Sequence, residues 1–231
     1  MTKIEEYEFN GFLNVKLQGQ ALNKTCSLLK NIFENELSDK KFNWQTKYDN
    51  TFDLRPDVYT LDNCFVNLLF ENDIDVLLSD LISSDITLMH IQLRRSFPGP
   101  SYMDWHRDSY VYDNRVVGNF PPVHKLIFYP TIVNVEPKLK VAIGSHRRNF
   151  DNKQEDFAQL NDSKIVTINS SNENAILFNT NILHAVVPDS FEQGSFRLIY
   201  TFMRRNILKE KLKNEKLHID QSDLYEKLKG I

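Results

Sequence analysis

Phe196-Arg197-Leu198-Ile199-Tyr200-Thr201-Phe202-Met203 decides the fold class of this chain. The run is rich in aromatic and branched residues, and on an extended backbone its side chains alternate between two faces. If Arg197 faces inward, Ile199 and Thr201 share its side, while Leu198, Tyr200 and Phe202 point outward against helices. Similar short β-rich runs precede it at 87–95, 125–135, 139–143, 164–168, 175–178 and 183–187. Turn chemistry separates them at Phe97-Pro98-Gly99-Pro100, Asn119-Phe120-Pro121-Pro122, Asn169-Ser170-Ser171-Asn172 and Pro188-Asp189-Ser190. Short strands punctuated this way predict a mainly β sandwich or jelly roll.

The flanks read differently. All eight prolines lie between Pro56 and Pro188, which leaves both ends free to be helical. Leu22, Cys26, Leu29, Ile32 and Phe33 recur at three- and four-residue steps and predict an amphipathic helix over 20–37. A second helix is predicted over 72–83, with Asn72 or Asp73 near its cap. From 207 onward Leu208, Leu212, Leu217, Leu224 and Leu228 recur in a Lys/Glu-rich tail, read as one or two surface helices broken near Ile219-Asp220. The expected organisation is one domain over 1–231, with a β core at about 87–203, N-terminal helices at about 20–83 and a helical tail at about 206–231. That tail could mediate a dimer; the oligomeric state stays open.

Composition narrows the function. The chain has 231 residues, 41% hydrophobic and 26% charged, with a formal net charge of -3, so neither a nucleic-acid nor a membrane partner is expected. Only seven glycines are present, and neither GxGxxG nor GxxxxGK[ST] occurs, which excludes the common nucleotide loops. The acidic start Met1-Thr2-Lys3-Ile4-Glu5-Glu6 resembles no signal peptide. Cys26 and Cys64 are isolated and read as buried thiols, and a cytoplasmic location follows as the expectation.

Chemistry gathers around Trp105-His106-Arg107-Asp108, His184 and Arg197. In extended backbone His106 and Asp108 share a side while Arg107 points away. Two imidazoles and one carboxylate form the facial triad of non-heme Fe(II) oxygenases, with positions left for a bidentate 2-oxoacid and O2. An arginine suits the far carboxylate of 2-oxoglutarate because its fork matches a carboxylate. Reading 189–195 as a turn puts His184 and Arg197 on adjacent antiparallel strands. By spacing alone, an HxD pair occurs by chance in many chains, and a lone strand histidine is more often a structural residue than a ligand. His90, His124 and His218 have no partner pattern and read as structural or surface residues.

In order along the chain, these features resemble the phytanoyl-CoA dioxygenase-like (PhyH-like) family of Fe(II)/2-oxoglutarate oxygenases. The opening Tyr7-Glu8-Phe9-Asn10-Gly11-Phe12-Leu13-Asn14-Val15 is similar to the family's start. Trp105-His106-Arg107-Asp108 resembles its WHxD motif, and Gly144-Ser145-His146 after Leu139-Lys140-Val141-Ala142-Ile143 resembles its PGSH strand end. Asn174-Ala175-Ile176-Leu177-Phe178 resembles the approach to the distal histidine, and Arg197 falls where the 2-oxoglutarate arginine would. The chain departs from the pattern at Ile143, at Glu136-Pro137-Lys138 and at Glu173-Asn174.

The resemblance implies a double-stranded β-helix, a jelly roll of the cupin kind, with Fe(II), 2-oxoglutarate and O2. It implies hydroxylation of a small molecule with decarboxylation of 2-oxoglutarate to succinate. His106, Asp108 and His184 would be the metal-binding, catalytic set, with Arg197 on the cosubstrate. Lys125 opens a strand that often supplies a second cosubstrate contact, and Gln92 reaches the same place if its strand faces inward. Trp105 could wall the pocket. His146 is no metal ligand of the family; it reads as a loop-structuring residue, with a substrate-side role as the alternative. The intact Asp108 carboxylate points to oxygen transfer rather than halogenation.

Arg94-Arg95, Arg107, Arg115 and Arg147-Arg148 read either as a solvated rim or as the grip for an anionic substrate. Of the seven glycines, Gly99, Gly144 and Gly194 are placed at bends around the pocket. His106-Arg107-Asp108 also spells a kinase catalytic tripeptide, but the Asn that should follow is displaced, DFG is absent, and the kinase reading fails. Two rivals remain: a cupin-like metal-dependent isomerase, and a non-catalytic β-helix binding or scaffold protein.

Overall fold

The computed structural model describes residues 1–35, 45–47, 52–96, 103–108, 123–133, 139–148, 153–169, 171–186 and 195–206. Two antiparallel sheets face each other. The larger contains β1 (Phe12–Lys16), β2 (Gln45–Lys47), β3 (Phe52–Arg55), β4 (Ile86–Ser96), β6 (His124–Phe128), β9 (Asn174–Asn179) and β11 (Ser195–Arg204), in the order β1-β9-β6-β11-β4-β3-β2. The smaller runs β5-β10-β7-β8, from β5 (Met103–His106), β7 (Leu139–Ala142), β8 (Ile165–Ile168) and β10 (His184–Val186).

Strand alternation sorts two cores. Ile127, Ile176, Phe178 and Ile199 of the larger sheet meet Leu139, Val141 and Val186 of the smaller one inside the jelly roll. On the outer face of the larger sheet Phe196, Leu198, Tyr200 and Phe202 pack with α2 (Gly19–Asn35), α3 (Cys64–Phe70) and α4 (Ile74–Leu81). Full burial of Phe196, Leu198 and Phe202 contributes roughly 1.5–3 kcal/mol apiece. The Tyr200 hydroxyl, carried into the same layer, donates to the Phe65 carbonyl at 2.6 Å and ties β11 to α3. The parity expected of the 196–203 strand is the parity observed.

Helix α1 (Lys3–Asn10) opens on a capping box: Thr2 Oγ1 accepts from the Glu5 amide at 3.2 Å, and the Glu5 carboxylate accepts from the Thr2 amide at 2.7 Å. It closes at Gly11, where φ is 84° and a β-carbon would collide with the His146 ring. The chain then enters β1, whose register against β9 runs Phe12↔Phe178 to Lys16↔Asn174.

Several expectations are corrected. The stretch 20–83 is not helical throughout: β2 and β3 interrupt it and extend the larger sheet beyond β4. The strand expected over 125–135 stops at Phe128, because Pro130 has no N–H for a ladder, and Thr131–Val133 forms a 3-10 turn instead. At α4 the cap position is Asp73, but its side chain makes no capping bond; Asn72 turns away and accepts from the Gln18 amide at 2.8 Å. Gly144 does sit at a bend, with φ 72°. Gly99, Gly194, Arg115, the tail from 207 and the turn 189–194 lie outside the described residues.

Cys26 and Cys64 are both free thiols, and burial pushes Cys64 up to about 11. No helix among the described residues is long and apolar enough to cross a membrane.

Candidate metal centre

The two histidines meet through a ladder. His184, the first residue of β10, pairs with His106 at the end of β5 and with Val141 of β7. Alternation puts all three on the inward face, and the imidazole centroids lie 4.3 Å apart. Asp108 lies beyond β5, its amide donating to the Thr180 carbonyl at 3.2 Å, so the end of β9 sets its position. Its Oδ1 stands 3.7 Å from His106 Nε2 and 3.6 Å from His184 Nε2, and the three donor atoms fall within 4.8 Å of one another.

The second ring nitrogens define what the first can do. His106 Nδ1 lies 2.7 Å from the Asp104 carbonyl, and His184 Nδ1 lies 2.9 Å from the Ile182 carbonyl. A carbonyl can only accept, so each Nδ1 carries the proton and donates. In the neutral rings each Nε2 then holds a lone pair, and both lone pairs face the Asp108 carboxylate. His106 Nε2 is buried with no hydrogen-bond partner. Burial, then the neighbouring His106, pushes His184 below its ordinary value, which favours the neutral ring. Two lone pairs and a carboxylate gathered around one point repel unless a cation lies among them. Backbone carbonyls holding Nδ1 are the usual support of metal-bound imidazole. The residues fit a divalent metal of the two-imidazole, one-carboxylate kind.

Lys125, in β6, pairs its Nζ with Asp108 Oδ2 at 2.5 Å. Burial would raise the Asp108 carboxyl, but the Lys125 ammonium is the largest influence against it, and the group is held well below the usual carboxylate range. Lys125 therefore sits with the three donors.

A second group lies further along the same inward face. The β11 register pairs Thr201 with Lys125, Ile199 with Gln92 and Ile127, and Arg197 with Arg94. Four residue steps lead from Arg197 to Thr201, roughly 13 Å of strand. Arg197 is buried, and that burial, followed by the charge of Arg94, pushes its guanidinium well below the ordinary arginine range. A carboxylate placed beside it would relieve both strains. Arg94 donates to Gln92 Oε1 from Nε at 3.3 Å and from Nη2 at 3.1 Å. Gln92 thus holds Arg94. Two polar atoms of this interior were not singled out from the sequence as site groups: the buried Thr201 and Tyr129 hydroxyls, neither with a hydrogen-bond partner. Extending the β6 alternation from Lys125 through Ile127 would have found Tyr129.

The structure relocates other residues. His184 and Arg197 are not on adjacent strands: β10 is flanked by β5 and β7, β11 by β4 and β6, so the two residues occupy opposite sheets. Trp105 does not wall the interior. One residue from His106 in an extended strand, it faces outward and packs with Ala142, Leu183, Phe157 and Leu160. His146 is not beside the metal donors either; its Nε2 lies 3.2 Å from the Glu8 carbonyl and its ring against Gly11, which makes it a brace for the end of α1. The described arginines form no common rim. Arg95 pairs with buried Asp53 at 2.5 Å, Arg147 lies over the Phe9 ring at 4.8 Å, and Arg107 is buried on the outer side.

No protein-family model and no curated protein matches the chain. Solved structures do. The non-heme alpha ketoglutarate dependent epimerase SnoN from nogalamycin biosynthesis superposes with a TM-score of 0.64 at 14% identity, over 87% of this chain and 81% of SnoN. HygX from Streptomyces hygroscopicus, with nickel and 2-oxoglutarate bound, gives 0.60 at 13% identity over 89% and 88%. Apo EctD from S. alaskensis gives 0.66 at 10% over 88% and 77%. At these identities the likeness shows the fold alone, a jelly roll shared with SnoN, HygX and EctD.

Proposed function

We propose that this chain is an Fe(II)/2-oxoglutarate-dependent oxygenase that hydroxylates a small molecule. The observation that carries the reading is the convergence of the His106 and His184 Nε2 lone pairs on the Asp108 carboxylate, each ring oriented by a backbone carbonyl behind it. These three residues hold the iron. The sequence resemblance to the phytanoyl-CoA dioxygenase-like family and the fold shared with SnoN, HygX and EctD support the same assignment.

Arg197 takes the distal carboxylate of 2-oxoglutarate through paired N–H donors, with Arg94 adding positive charge from the neighbouring strand. Lys125 keeps Asp108 ionised and so available as a ligand. The apolar interior of Ile127, Ile199, Val141 and Val186 excludes water between the two ends. When bound, iron with 2-oxoglutarate and O2 supplies the oxidising power that no side chain has. In balance, R–H, O2 and 2-oxoglutarate give R–OH, succinate and CO2. An epimerase among the structural neighbours keeps a second outcome in view, removal of hydrogen at carbon without retention of oxygen.

Anaerobic addition of Fe(II) and 2-oxoglutarate is expected to produce the weak visible charge-transfer band of the chelate, and His184→Ala is expected to abolish it. Absence of the band in the wild type, or its survival in the variant, overturns the assignment. Product analysis after a small-molecule screen for O2-dependent succinate release separates hydroxylation from epimerisation. A scaffold protein would release none.

A further inference from the structure

Between the two ligands of the HxD motif stands a residue the proposed reaction does not use. Arg107 is 3% exposed and points to the outer face of the smaller sheet. Its Nε donates to Asp156 Oδ2 at 2.7 Å and its Nη2 to Asp156 Oδ1 at 2.6 Å, a fork-to-fork pair with a fully buried carboxylate. Nη2 also donates to the Ser145 carbonyl at 2.9 Å, and Nη1 donates to the Asn181 carbonyl. The partners belong to three separate segments. Asn181 is in the turn that leads from β9 into His184. Ser145 follows β7, and its hydroxyl accepts from the Leu183 amide at 2.8 Å. Asp156 belongs to α5 (Lys153–Ala158), held against the sheet by Phe157 over Ala142 and Leu183.

The metal donors come from two stretches far apart in sequence, and the β5–β10 ladder between them is short and irregular, shifting register between His184 and Val186. Backbone pairing alone holds the spacing of His106 and Asp108 to His184 loosely. Arg107 bridges the two stretches directly, from the residue between His106 and Asp108 to the carbonyl of Asn181. We infer that Arg107, fixed by Asp156, is a positioning residue: it sets the separation of the HxD pair from His184 and thereby the metal affinity. The inference rests on the iron-centre reading above. A purely structural salt bridge would serve stability instead, and a buried pair is weak support for that role, since well-packed apolar replacements often match it. The geometry favours a role in placement: the guanidinium holds the Asn181 carbonyl on the approach to His184, and the Ser145 carbonyl of a residue whose hydroxyl holds the Leu183 amide.

Co(II) alone is the probe, followed by its visible d–d band and by calorimetry, with thermal unfolding of each apo protein measured in parallel. Arg107→Met/Asp156→Leu removes both charges together and leaves none buried alone. Arg107→Lys keeps the cation and loses the fork. The expected result is a Co(II) Kd raised roughly 10–100-fold in whichever variants fold, with an altered band shape, even where the melting temperature matches wild type. Wild-type affinity in either folded variant overturns the inference and leaves the iron reading intact. Failure of the wild type to bind Co(II) overturns both.

Discussion

His184 stands directly opposite His106 in the β5–β10 ladder, and both rings turn the same nitrogen toward Asp108. The pairing puts the carboxylate where it can serve as the third corner of a donor set. Asp108→Asn is therefore expected to lower Fe(II) affinity by more than the roughly 10–100-fold typical of outer-shell losses. It also leaves the Lys125 ammonium without its carboxylate, which costs the apo protein about 1–3 kcal/mol. Calorimetric Fe(II) titration and urea unfolding measure the two effects separately; unchanged iron binding would refute the donor role.

Lys125 gives the site its acid tolerance. Burial works to raise the Asp108 carboxyl, and Lys125 is the largest influence against it. Lys125→Met removes that influence and lets burial raise the carboxyl. Since only the ionised carboxylate binds metal, the pH at which half the metal is released should move upward in the variant. Co(II) binding followed across about pH 4–8 gives the midpoint, and a midpoint moving down would contradict the ion pair's role.

Much of this arrangement was legible in the chain, for reasons of periodicity. Two-residue alternation placed Arg197, Ile199 and Thr201 inside and Leu198, Tyr200 and Phe202 against helices, because a strand buried on both faces still keeps its parity. The same parity, carried one residue to either side of His106, places Trp105 and Arg107 on the outer face, where they lie. Thr2 and Glu5 spell a capping box and could have announced α1. Sheet membership was not legible. A turn at 189–195 reads as a hairpin locally, whereas β10 and β11 already have both edges filled by other strands. Nor does sequence spacing reveal that Lys125 meets Asp108 or that Arg107 meets Asp156, since the first contact depends on how the two sheets close and the second on how α5 packs on the smaller sheet.

Acid should unfold the protein from near neutrality downward. Burial pushes His124 down to about 3 and His146 down to about 4, against an ordinary value near 6.5. His124 shares a 2.6 Å hydrogen bond with the Tyr7 hydroxyl, and His146 braces Gly11. Both rings stay neutral in the folded state while the unfolded chain takes up protons below about 6.5, so the unfolded state binds more protons and is favoured as pH falls. The stability is fully present above about pH 6.5. It falls by about 1.4 kcal/mol per pH unit for each histidine toward about pH 4. Urea midpoints between about pH 7.5 and 5 report the slope, and His146→Gln should flatten it; a slope of opposite sign would mean these rings are protonated in the fold.

On the proposed reading Arg197 and the metal donors act on opposite ends of the cosubstrate, so their substitutions should separate. Arg197→Lys keeps a cation but replaces a planar fork by a point charge on a shorter reach, and loses at least one charge-assisted hydrogen bond of about 1.5–3 kcal/mol. Half-saturating 2-oxoglutarate is expected to rise roughly 10–100-fold. Fe(II) affinity measured without 2-oxoglutarate should stay at the wild-type value, because roughly 13 Å of strand separates Arg197 from Thr201 beside Lys125. Titration of the anaerobic chelate band against 2-oxoglutarate, with a separate iron titration, checks both halves. Iron binding that weakens in step with 2-oxoglutarate would mean that Arg197 supports the fold of the interior rather than the cosubstrate. Arg94, paired opposite Arg197 on β4, is the internal control: its guanidinium already donates to Gln92, so Arg94→Lys should raise half-saturating 2-oxoglutarate by less than Arg197→Lys.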